Sequence, residues 1–170
     1  QAEIELINLA TIYEMLERDQ SENNVLPTYY KKDPRGVIGR EPVAMGSAFS
    51  NKTGNSISNI FLPRNIEITS QISEEIIRTE RLDPVFSDIL NRNGNIIWIY
   101  VTTKSGLMRL YPYFDNIIFD ADRNPCTYPY YTIITDKTEE EDEAVWTNPY
   151  YDYGGKGWVI SCSKPIFRNG

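Results

Sequence analysis

Apolar residues recur at helical spacing at the start of the chain. Leu6, Leu9, Ala10, Tyr13 and Leu16 form a stripe, with Glu3, Glu14, Glu17 and Arg18 on the remaining surface. This predicts a long amphipathic helix over 3–19. From 20 to 64 the periodicity breaks at Pro27, Pro34, Pro42 and Pro63 and at Gly36, Gly39, Gly46 and Gly54. The expectation is a loop-rich cover with one short strand at Asn59–Leu62. A loop of that length in a compact domain usually covers something. Ile68, Ile72 and Ile76 then mark the buried stripe of a second helix ending near Glu80. Asp83-Pro84 reads as an N-cap followed by proline at the first helical position, opening a short helix with Val85, Phe86, Ile89 and Leu90 inward.

The second half changes period. Asn93-Gly94-Asn95 turns the chain into a strand at Ile96–Thr102, and Lys104-Ser105-Gly106 turns it back into Leu107–Tyr113, which predicts a hairpin. Residues 115–136 are irregular, with a short helix around Tyr130. Ala144–Phe167 reads as one further hairpin. Its first strand is aromatic-rich, Gly154, Gly155 and Gly157 make the turn, and the second strand closes on Lys164-Pro165. Helices first and antiparallel strands afterwards, at least four in one sheet, predict an α+β domain.

At 170 residues the chain fits a single module over 1–170, and 41% hydrophobic content supplies a core. The longest apolar run, Ile96–Val101, is far short of the roughly 20 residues of a membrane span. The chain opens inside a helical pattern with no basic leader, which reads as an excised fragment rather than a signal peptide. A net charge of −7 argues against nucleic acid as a partner. Glu139–Glu143 reads as a solvated acidic loop. The absence of histidine removes the Ser-His-Asp and Cys-His mechanisms and the commonest metal ligand. Cys126 and Cys162 have no metal-ligand spacing; a disulfide and two separate thiols both fit.

Several constellations carry candidate chemistry. Asp120, Asp122 and Asn124 begin like a calcium loop, but Pro125 and Tyr131 stand where glycine and a bidentate glutamate belong, so an Asx-rich turn is expected and no metal. Asp115, Asp120 and Asp152 near many aromatics leave a carboxylate-based glycoside hydrolase as a remote alternative. That chemistry needs two carboxyls roughly 5 to 9.5 Å apart. Arg109, Tyr111 and Tyr113 alternate on one strand face, readable as a solvated face or as a pocket floor with a cation for an anionic ligand. Twelve tyrosines and three tryptophans suit a wall that is apolar on one side and wet on the other. Tyr128, Tyr130 and Tyr131 on one segment, and Trp146, Tyr150 and Asp152 on another, are the remaining ligand-binding candidates.

RTERLDPVFSDIL (Arg78–Leu90), IIWIYVTTKSGLMRLYPYFD (Ile96–Asp115), TYPYY and VWTNPYYDYGGKGWVISCSKPIF follow one another in an order that resembles the membrane-distal half of a double-Cache sensor domain. The resemblance implies a long N-terminal helix on a PAS-like antiparallel sheet, here lacking its last strand. It also implies a ligand between sheet and loops, and flanking membrane segments leading to a histidine kinase, cyclase or chemotaxis output. Tyr150 and Asp152 match the family's Tyr-x-Asp motif, and Tyr130 and Tyr131 match two aromatics of its carboxylate clamp, whose arginine position falls on Tyr128. The expectation is a non-enzymatic, extracytoplasmic sensor without cofactor that binds a small polar, amine-containing molecule. It would signal, and form a homodimer, through the N-terminal helix. The alternative is a non-catalytic protein- or surface-recognition module with no small ligand.

Overall fold

The computed structural model describes residues 25–41, 57–141 and 143–167. The predicted helix over 3–19 and much of the loop-rich cover lie outside them. The described residues form two compact units, one within Ser21–Arg123 and one from Asn124 onward. The architecture is α+β, as the pattern predicts.

In the first unit, β1 (Tyr30–Lys32) and β2 (Ile38–Arg40) form an antiparallel hairpin in the stretch expected to be loop. Proline and glycine there make a turn between strands rather than prevent them. The Asp33 carboxylate accepts the Arg35 and Val37 backbone N–H groups at 2.8 and 3.1 Å, and Gly36 takes φ +86°. An isolated antiparallel bridge between Ile38 and Leu62 joins β2 to β3 (Asn59–Phe61). β3 pairs with β5 (Met108–Tyr111), and β5 pairs with β4 (Ile99–Thr102), giving a three-stranded sheet in the order β3-β5-β4. The β4–β5 turn closes through Gly106 at φ +88°, where a Cβ would lie 2.7 Å from Ile66 Cδ1.

Two helices pack on β5: α1 (Ser70–Glu80) and α2 (Asp83–Arg92). Thr69 caps α1 by accepting the Ile72 N–H at 3.2 Å. Ile72 and Ile76 are buried, whereas Ile68 precedes the helix and is exposed. The expected cap position shifts in α2. Asp83 begins the helix and Leu82 precedes it, because the Asp83 carboxylate is turned inward toward Ser58 rather than onto its own helix end. Tyr30, Ile38, Ile60, Leu62, Ile72, Ile76 and Leu107 form the apolar cluster between these elements.

The second unit does not extend that sheet. A 3₁₀ turn, Pro125–Thr127, leads into the short helix α3 (Pro129–Thr132). Ala144–Phe167 is not one hairpin. β6 (Val145–Trp146) pairs with β9 (Cys162–Ser163), while β7 (Tyr150–Asp152) pairs with β8 (Gly157–Val159), each as a separate two-stranded sheet. Thr147 interrupts the pairing. Its N–H reaches the Ser161 carbonyl and its hydroxyl accepts the Ser161 N–H, both at 2.9 Å, so side-chain bonding replaces the ladder there. The expected single sheet of at least four strands, with a PAS-like layout, is therefore replaced by a three-stranded sheet and three two-stranded ones. No helix among the described residues is long and apolar enough to cross a membrane.

Candidate functional site

Arg109 sits mid-strand in β5, a central strand whose four residues are all buried. The expected alternation between a core face and an open face is therefore lost: the two helices cover the side that Arg109 and Tyr111 share, and Met108 and Leu110 on the other side are buried as well. The Arg109 side chain is fully enclosed. Its guanidinium donates to Thr79 Oγ1 at 2.8 Å, Ser58 Oγ at 2.7 Å, the Tyr30 hydroxyl at 3.0 Å and the Ile76 carbonyl at 2.6 Å. A buried guanidinium is tolerated only when its donors are met, and here the chain itself meets them. Nothing in this geometry leaves Arg109 as a cation for an outside anion.

The network continues from Ser58. Its hydroxyl donates to Asp83 Oδ1, and its backbone N–H donates to Asp83 Oδ2 at 2.9 Å. Arg40 Nη1 lies 2.9 Å from Glu80 Oε1 and 3.5 Å from Asp83 Oδ2. The closer approach is an ion pair by distance but lacks hydrogen-bond alignment. The Tyr29 hydroxyl donates to both Glu80 oxygens at 2.8 and 2.9 Å, and its ring lies 4.6 Å beneath the Arg40 guanidinium. Two arginines thus balance two carboxylates. Burial pushes the Asp83 carboxyl above its ordinary range, against the pull of the Ser58 hydrogen bonds and of Arg109 and Arg40. Burial likewise raises the Tyr30 and Tyr29 phenols, so both stay neutral donors. Tyr111 packs its ring on Phe86, with centroids 5.9 Å apart. Tyr113 is half-buried and donates to the Arg40 carbonyl at 3.1 Å.

The other sequence-derived candidates belong to the second unit. Tyr128 stacks on Tyr130 with centroids 5.8 Å apart and planes at 13°, and meets the edge of Tyr153 at 5.2 Å. Tyr130 is buried and lies 6.4 Å from the Tyr150 ring. The Tyr150 hydroxyl shares a 2.6 Å hydrogen bond with Ser161 Oγ. The grouping of Tyr128, Tyr130 and Tyr150 is therefore real. The Asp152 carboxylate, expected to accept from a ligand, instead accepts the Gly154 and Lys156 backbone N–H groups at 3.0 and 3.1 Å and shapes the β7–β8 turn. Tyr131 is half-buried, and its hydroxyl hydrogen-bonds to Cys126. Trp146 is 44% exposed on β6. Asp120, Asp122 and Asn124 act as the expected Asx turns: Asp120 accepts the Asp122 N–H, Asn124 accepts the Cys126 N–H, and Asp122 pairs with Arg64.

Sequence reasoning missed two features. One is the set of partners around Arg109: Tyr29, Tyr30, Arg40, Ser58, Thr79, Glu80 and Asp83. The available signal was an arginine inside an apolar strand, Leu107–Tyr111, which demands acceptors from elsewhere. The other is the outer face of β7–β8. There Tyr151 (59% exposed) faces Trp158 (73%) across the pair, with rings edge to face at 6.1 Å, and Tyr153 and Ile160 continue the exposed surface.

A family model described as VWA N-terminal matches residues 3–115. Neither the curated proteins nor the solved structures yield a match. The family match overturns the Cache-type assignment, and with it the reading as a ligand-sensing receptor domain coupled to a histidine kinase or chemoreceptor output. Of the segments that carried the Cache resemblance, Arg78–Leu90 and Ile96–Asp115 lie inside the matched stretch, whereas TYPYY and VWTNPYYDYGGKGWVISCSKPIF lie beyond it. The last of these folds as two small sheets instead of strands of one sensor sheet.

Proposed function

The chain belongs to the VWA N-terminal family, and we propose that it is a non-catalytic recognition module that works beside a von Willebrand factor A domain in the same polypeptide. The observation that carries this reading is the outer face of β7–β8. Tyr151, Tyr153, Trp158 and Ile160 stand exposed on a hairpin whose turn is held by Asp152. A fixed hairpin that leaves large aromatics in water has not used their burial energy within its own chain. Tyrosine and tryptophan are also the residues that anchor protein interfaces. The Arg109 guanidinium, by contrast, is met by four acceptors inside the fold, as expected of scaffold rather than of machinery.

The occupant of the hairpin face is taken to be the von Willebrand factor A domain itself. The family name puts such a domain beside this segment, and a covalent tether raises its effective concentration. An extracytoplasmic setting is part of the proposal; the redox state of Cys126 and Cys162 in natively isolated material tests it.

The test is titration of this chain with the von Willebrand factor A domain of its own gene product, comparing wild type with Trp158→Ala and Tyr151→Ala. Loss of an anchor aromatic weakens binding by about tenfold or more, while an exposed site changes folding stability by only about 0.5 kcal/mol. Unchanged affinity in both variants, or a gene product without such a domain, refutes the reading.

A further inference from the structure

We infer that the β7–β8 face receives an extended, proline-rich segment of its partner, held in the polyproline II conformation. The inference rests on the reading of that face as a recognition surface and adds the chemistry of what it takes. Tyr151 and Trp158 are direct cross-strand partners, and their ring planes meet at 87°. Two rings at right angles form a corner with an apolar wall on each side, and both rings stand in water. A pyrrolidine ring is compact, rigid and apolar, so it seats in such a corner without losing rotamer freedom. The strands beneath are fixed in advance. Asp152 holds the turn through the Gly154 and Lys156 N–H groups, and the Tyr150 hydroxyl ties β7 to Ser161 Oγ at 2.6 Å. Little conformational freedom is lost on contact when both surfaces are already stiff, and a polyproline segment is stiff before it binds.

Hydrogen-bond chemistry narrows the choice of occupant. The outward positions of the two strands and their continuations are Pro149, Tyr151, Tyr153, Lys156, Trp158 and Ile160, all exposed. None carries a carboxylate or an amide, and the Asp152 carboxylate is engaged by its own turn. The groups offered to a guest are donors: the Trp158 indole N–H, which cannot accept, and the Tyr151 hydroxyl. An ordinary extended strand brings an N–H with every carbonyl, and those N–H groups would find no acceptor here. Sugar hydroxyls donate as well as accept, so a sugar would also need acceptors beside the rings. A polyproline II segment forms no internal hydrogen bonds and its prolines have no N–H, so it presents carbonyls alone. Donors on the face thus meet acceptors on the segment. Its three-residue turn also returns a ring to the same side about every 9 Å, which keeps successive prolines on the aromatic face.

The experiment is a nuclear magnetic resonance titration of the whole chain with decaproline, followed through the indole N–H signals of its three tryptophans. Trp98→Phe, Trp146→Phe and Trp158→Phe assign those signals. The expected result is a saturable shift of the Trp158 signal. Tyr151→Ala weakens decaproline binding about tenfold or more, and Tyr151→Phe, which keeps the ring but loses the donor, weakens it several-fold. No shift at about 1 mM decaproline, an equal response to a glycine-serine peptide of the same length, or a response to cellohexaose in place of decaproline overturns the inference. Unchanged affinity in Tyr151→Phe overturns the selection by donors. The same titration with the von Willebrand factor A domain separates this inference from the broader reading. A Trp158 shift with the domain but none with decaproline overturns the polyproline occupant alone. A shift with decaproline but none with the domain refutes the domain as partner and supports the chemistry assigned to the occupant; silence with both refutes both.

Discussion

Arg109→Met isolates the energetic role of the buried network. Methionine keeps an unbranched stem in the β5 core but removes all four donated hydrogen bonds, to Thr79, Ser58, Tyr30 and Ile76. Three hydroxyls and a carbonyl lose a charged partner, and Asp83 keeps its buried charge with only Arg40 nearby as counterion. Removing one member of a buried charged network costs about 3–5 kcal/mol, against about 5–15 kcal/mol for a whole domain. With a urea dependence of about 1–3 kcal/mol per molar, the midpoint falls by roughly 2 M. Trp98 reports on this unit, because its ring meets Phe114 edge-on at 5.3 Å. Trp146 and Trp158 are changed to phenylalanine so that they do not contribute. Asp83→Asn in the same background removes the stranded charge. The double variant is therefore less destabilised than the sum of the two single ones, with a coupling of about 0.5–3 kcal/mol. A midpoint drop under roughly 0.5 M, or strict additivity, would mean that Arg109 fills space and that its hydrogen bonds contribute little.

Further outcomes follow from the same geometry. The Asp83 carboxyl is raised by burial, so the folded state holds its proton more tightly than the unfolded chain does. Its contribution to stability is fully present below the ordinary aspartate value of about 3.9 and is lost as pH rises through the higher folded value. Urea midpoints taken across that window should fall less steeply for Asp83→Asn than for wild type; parallel profiles would contradict this. Gly106→Ala forces a side chain into the left-handed region and onto Ile66 Cδ1. A loss of about 1–2 kcal/mol in urea unfolding is expected, and an unchanged midpoint would show that the turn relaxes. Asp152→Ala leaves the Gly154 and Lys156 N–H groups without their acceptor. Hydrogen exchange at those two amides should speed up, and unchanged protection would count against the turn-holding role.

Much of the backbone was legible locally. Ile72 and Ile76 at four-residue spacing, Pro84 in the first turn of α2, and Gly106 between two apolar runs each act on their immediate neighbours, and the corresponding elements are present. The β1–β2 hairpin was missed because Asp33-Pro34-Arg35-Gly36 reads equally as loop or turn until Ile38 finds Leu62. The aromatic grouping of Tyr128, Tyr130 and Tyr150 was legible in part, since tyrosines this dense must pack on one another. The role of Asp152 was not. Whether a carboxylate faces a guest or caps its own turn depends on two backbone N–H directions that no spacing reveals.

The sequence by itself determined the α+β class, the positions of α1 and α2, the β4–β5 hairpin and, through residues 3–115, the family. These depend on periodicity, turn chemistry and family pattern, which are written along the chain. Tertiary structure alone decided that Arg109 is enclosed by Tyr30, Ser58, Thr79 and Ile76, that Ala144–Phe167 divides into two sheets, and that Trp158 and Tyr151 face water. Each of these depends on which distant residue reaches a given donor, strand edge or ring first. That competition is resolved only when the chain closes on itself.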